Sequence, residues 1–196
     1  MSSLDDRVAA LEHQQAELTI QLQALQNTLL LVGDVQRYSR LRDLLAAGDL
    51  DAADMETAKL LFDGLADQHG DVSPEALERC PAAMLRIIDG LWSTSSHGRQ
   101  GFSMQQQLYR ELGGSRESLI SQDLALFARF TQAVAWPTLA GVGFVLPDEL
   151  TVPVPAALDD DALPPRGHLP LRCWGSDYGL KGANLLMARL IEVFAA

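Results

Sequence analysis

The chain has 196 residues, 47% of them hydrophobic, and a formal charge of −11. That length and apolar share suit one core-forming domain with an appendage, or two small domains. The acidic balance without a basic tract makes nucleic acid and anionic membranes poor partners, since both bind clustered Lys and Arg. No apolar run approaches the roughly 20 residues of a membrane span, and the opening MSSLDDRVAALEH does not read as a signal or transit peptide.

Leu4, Leu11, Leu18 and Leu25 recur every seven residues, with Val8, Gln15, Leu22 and Leu29 interleaved. This heptad pattern predicts a helix over residues 1–33 that self-associates through residues 4–29 as a parallel homodimeric coiled coil, with Gln15 fixing register. An amphipathic helix packed on its own domain is the competing reading. Residues 37–196 form the second region, and periodicity and breakers predict mainly α structure there. Helices are expected over about 37–46 and 51–67, the latter capped by Asp49 or Asp51. Glu56, Asp63 and Asp67 read as its solvent face. Ser73-Pro74 and Cys80-Pro81 each start a further helix, the second carrying Leu85, Ile88 and Trp92 on one stripe. Residues 103–112, 121–133 and 182–195 are the remaining helical runs.

Between Trp136 and Gly182 the texture changes, and seven of the chain's 9 prolines fall there. A stretch of about 45 residues without helix is unusual in a compact domain and is functional or disordered. Trp136, Phe144, Trp174 and Tyr178 favour an ordered wrapping loop. Reactive motifs are missing: there is no P-loop, GxGxxG, CxxC or HExxH, and no histidine pair at metal spacing. Asp159-Asp160-Asp161 reads as a solvated acidic run. Cys80 and Cys173 lie far apart and read as reduced thiols. The residues alone describe a binding module, with no catalytic residues and no metal site.

One stretch stands out, residues 89–105, DGLWSTSSHGRQGFSMQ. Leu91-Trp92 followed by Ser96-x-Gly98-Arg99-x-Gly101-Phe102-Ser103-x-Gln105 resembles the signature of the genomes-uncoupled-four family. Ala53-Asp54-x-Glu56-Thr57, Pro81 through Asp89, Leu112-Gly113-Gly114, Phe130 through Trp136 and Gly167-His168-Leu169-Pro170 follow in the family's order over residues 38–190. Departures are Gln100 for an aromatic, Gln106-Gln107 for basic residues and Ala135 for glycine.

The resemblance implies a mainly α, helical tetrapyrrole-binding domain with long irregular loops, shaped like a cupped hand. It further implies a non-enzymatic, cytoplasmic regulator of magnesium chelatase in chlorophyll synthesis, with a position at the thylakoid membrane left open. The ligand would be protoporphyrin IX or Mg-protoporphyrin IX, and the protein partner the large chelatase subunit. The site carried over comprises Trp92, Arg99, Phe102, Ser103, Gln105, Trp136, Phe144, His168 and Leu169. Trp92, Phe102, Trp136 and Phe144 would wall a flat apolar plate, Arg99 would pair with a propionate, and Gly98 and Gly101 would let backbone approach it. Ser103 would cap a helix whose N–H groups face an anion. Five have a second reading: Trp92 and Phe102 as core, Trp136 as loop anchor, His168 as a hydrogen-bonded loop residue and Arg99 as a helix-end donor. Two alternatives stay open, a dimeric interaction module with a degenerate site and a bilin-binding protein using Cys173.

Overall fold

The computed structural model describes residues 36–136, 164–175 and 178–194, with Gln15, Glu17, Leu18 and Gln21. Those four isolated residues are helical; the rest of the heptad segment, its dimer, Phe144 and the acidic run at 159–161 lie outside the described residues. Packing divides the chain into two units, Met1–Ser39 and Arg40–Ala196. The described residues form helices α1 (residues 36–46), α2 (Leu50–Leu65), α3 (Pro74–Glu78) and α4 (Ala82–Ser95), then α5 (Phe102–Glu111), α6 (Arg116–Ile120), α7 (Leu124–Ala133) and α8 (Gly179–Phe194). A 3-10 turn over Arg172–Trp174 precedes α8, and no strand occurs among the described residues.

Local chemistry explains these boundaries. Asp49 caps α2 by accepting from the Ala52 amide at 3.2 Å, and Ser73 caps α3 with Pro74 at its first position. Asp123 starts α7 by accepting from the Leu126 amide at 2.9 Å, so α7 begins three residues later than the periodicity predicts. Helix α6, which periodicity does not predict, lies between α5 and α7. Ser115 and Ser118 close a reciprocal capping box there. Helix α8 buries Ala183, Leu186, Met187, Leu190 and Val193 on one stripe and packs against α3, α4, α5 and α6. Glu56 corrects its reading as a solvent-face residue. It is buried, and Arg40 reaches it at 3.3 Å.

Candidate functional site

The residues of the signature converge on one feature, an irregular strap over Pro164–Gly175. Its chain order is Pro-Pro-Arg-Gly-His-Leu-Pro, and a cis peptide joins Leu169 to Pro170. Irregular backbone has no ladder of its own, so each buried N–H and C=O needs an outside partner. The helices supply them.

Gln105 of α5 is fully buried. Its Nε2 donates to the carbonyls of Gly167 at 3.0 Å and Pro170 at 2.8 Å. Its Oε1 accepts from the Trp174 indole at 3.1 Å. Gln100 does the same one turn earlier: Nε2 donates to the Pro164 and Pro165 carbonyls, and Oε1 accepts from the Leu169 amide at 2.9 Å. Gln100 therefore makes three bonds to the strap. Backbone joins in, with Gly101 N–H donating to Leu169 O and Gly167 N–H to Arg99 O.

From α2, the Asp54 carboxylate accepts from the Leu171 amide at 2.8 Å and the Arg172 amide at 3.1 Å. Arg172 reaches Asp51 at 2.8 Å. At the end of α7, the Trp136 indole donates to His168 O at 2.8 Å. Trp136 also packs on Trp174 and Phe130, with centroids 5.2 and 5.3 Å apart. Such aromatic pairs each add about 1 kcal/mol beyond burial.

The predicted site residues thus separate into two groups. Trp92, Phe102, Gln105, Trp136, His168 and Leu169 are all buried. Trp92 donates to Thr57 Oγ1 at 2.9 Å and ties α4 to α2. These six frame the strap and core, and no ring among them is open to a plate in this structure. Burial lowers the pKa of His168, against the hydrogen bond to Val134, which raises it. Its Nδ1 lies 2.8 Å from Val134 O, a carbonyl that can only accept, so Nδ1 carries the proton, which matches its reading as a hydrogen-bonded loop residue. Arg99 is exposed, as is Arg166 on the strap, whose Nη2 lies 3.3 Å from Met104 Sδ.

Ser103 corrects its expected role. The N-cap of α5 is Gly101, and Ser103 sits inside the helix. Its N–H and Oγ both donate to Asp89 Oδ1, at 2.8 and 2.9 Å. The anion at this helix end is the chain's own carboxylate. Gly101 also has a different reason from the one expected. Its φ is +118°, and a Cβ there would lie 2.6 Å from Asp89 Oδ1. Gly98, also expected to approach a ring, has a φ of +77°, and a Cβ there would meet nothing within 4 Å.

Asp54 and Asp89 are framework residues to which the sequence alone assigns no role. Both stand on helix stripes among buried apolar neighbours, Asp54 three residues before Thr57 and seven before Leu61, and that placement is the signal for a structural carboxylate. Asp54 is 1% exposed. Burial pushes its pKa from 3.8 up to about 6, outweighing the two amides and Arg172, which pull it down. A carboxyl with a raised folded pKa contributes its full stability below its unfolded value and loses it as pH rises through the folded one. The shift of about 2 pKa units corresponds to about 3 kcal/mol. Asp54→Asn should therefore gain about 3 kcal/mol relative to wild type between about pH 4 and pH 7. Urea denaturation of both proteins across that range checks it, and a difference that does not change with pH contradicts it.

Among the described residues no group of three His, Cys, Asp or Glu is placed to hold a metal ion. No helix there is long and apolar enough to cross a membrane. A family model described as GUN4-like matches residues 33–181. The chain belongs to the GUN4-like family. It is similar to the ligand-free structure of GUN4 from Arabidopsis thaliana, at 27% identity and a TM-score of 0.57, covering 82% of this chain and 95% of that one. It also shares its fold with GUN4 from Chlamydomonas reinhardtii, at 22% identity and a TM-score of 0.51, covering 80% of this chain and 88% of that one. No curated protein matches it. The GUN4-like match spans α1 to the start of α8, and so includes the strap and every helix that clamps it.

Proposed function

We propose that this GUN4-like chain is a non-enzymatic tetrapyrrole-binding protein that regulates magnesium chelatase, with protoporphyrin IX or Mg-protoporphyrin IX as ligand. The GUN4-like match over residues 33–181 carries the reading. The clamped strap supports it physically. Trp136 and Pro164, which flank residues 137–163, are both tied into the frame. Those residues include Leu139, Val142, Phe144 and Leu146, apolar side chains suited to a flat plate. Arg99 and Arg166 are exposed beside the same frame and are the partners assigned to the propionates, because guanidinium pairs well with carboxylate. Trp92, Phe102 and Trp136 act from below, by holding the surface in shape. Insertion of magnesium belongs to the chelatase; this chain binds the plate, orients its acidic edge and keeps water from its face.

Titration with each porphyrin, following tryptophan fluorescence, tests the reading. Saturable quenching with a micromolar or tighter constant is expected. Replacing Arg99 and Arg166 together by Ala should weaken binding about tenfold without lowering the melting temperature. Quenching that never saturates for either porphyrin contradicts tetrapyrrole binding. Saturable quenching that the double variant leaves unchanged contradicts the two arginines as anchors.

A further inference from the structure

Helix α5 carries a second stripe beside the one that grips the strap: Ser103, Gln106, Gln107 and Arg110. With Glu111 and Phe194 of α8 these residues line an open pocket of about 580 Å³. Gln106 is only 4% exposed, yet its Nε2 meets no acceptor of the protein. It stands out against the other glutamines of this region. Gln100 and Gln105 satisfy both ends of their amides, and Gln107 donates to Glu111 at 2.8 Å. Leaving a buried donor unmet costs more than a formed bond returns, so such a group calls for a ligand.

The neighbours define what ligand fits. An N–H donor needs an acceptor oxygen. Arg110 lies four residues on, hence on the same face of the helix, and it is exposed and forms no ion pair among the described residues. It adds a positive charge, which favours an anionic oxygen. Ser103 already spends its proton on Asp89. Glu111 keeps a negative charge in the lining and opposes a second charge on the ligand. Phe194 offers an aromatic face for an apolar body.

We propose that this pocket binds a small organic monocarboxylate with a flat apolar body. One carboxylate oxygen accepts from Gln106 Nε2, the other pairs with Arg110, and the body rests on Phe194. The site uses neither Arg99 nor Arg166, so it stands or falls independently of the porphyrin reading.

The test is a titration of the isotope-labelled full chain with benzoate, read by two-dimensional NMR. Saturable shifts of the Gln106 side-chain amide and of the Phe194 amide are expected, with a dissociation constant of about 1 mM. Benzamide, without the charge, and phthalate, with a second one, should each bind about tenfold more weakly. Gln106→Leu removes the orphan donor, and should keep or raise the melting temperature while weakening benzoate about tenfold. Shifts that do not saturate overturn the proposal. So does a folded Gln106→Leu protein that binds benzoate as wild type does, or a benzoate-grown crystal with only water at Nε2.

Discussion

Replacing Gln105 by Leu should cost this protein about 2 to 6 kcal/mol, since each buried polar group left unmet costs about 1 to 3 kcal/mol. Two groups lose their partner at once, the carbonyl of Gly167 and the indole N–H of Trp174, while the Pro170 carbonyl keeps only the weak Cys173 thiol donor at 3.9 Å. Leucine fills nearly the same volume, so the loss reports on hydrogen bonding and not on a cavity. In a chain of this size, that stability change lowers the melting temperature by roughly 4 to 24 °C. Thermal unfolding of the variant checks it, and a shift of a degree or two would mean the strap does not depend on Gln105. Burial decides the magnitude, because Gln105 has no exposed surface through which water could replace the lost side chain.

Gly101→Ala is expected to destabilise by about 2 to 4 kcal/mol, the sum of left-handed backbone strain and a steric clash. The new Cβ would meet Asp89 Oδ1 at 2.6 Å, in a backbone with φ of +118°. Asp89 cannot retreat freely, because it accepts both Ser103 donors. Gly101 cannot retreat either, because its N–H holds Leu169 O at 2.9 Å. A double-mutant cycle separates the two causes. Asp89→Ala in the same chain removes the obstacle and should recover the steric share but not the backbone share. If Gly101→Ala and Asp89→Ala simply add, the clash is not the cause.

The helices were largely legible from sequence. Spaced apolar residues fix α2, α4, α5 and α8, and Asp49 and Ser73-Pro74 announce two of the starts by their own chemistry. Helix α6 was not legible, since five residues carry no usable periodicity and only the Ser115-Ser118 box marks them. Residues of the site were legible as a group, but their roles were not. An aromatic or glutamine in a glycine-flanked motif reads equally as ligand wall or as frame. The deciding facts are partners far along the chain. Gln105 meets residues more than sixty positions away, and Asp54 meets Leu171 and Arg172 at separations of 117 and 118. No local pattern encodes those pairings. Arg99 is the contrasting case, a cation with no buried partner to claim it, and its exposure needed no long-range knowledge.

The signature residues hold the strap as a rigid frame. Amide hydrogen exchange at Leu169 and Leu171 tests it most directly, because these N–H groups end on Gln100 Oε1 and Asp54 Oδ1 and on no helical ladder. Protection approaching that of the core amides of α8 is expected, with its collapse at the strap in Gln105→Leu while α8 stays protected. Wild-type strap amides that exchange as fast as those of exposed turns would contradict it.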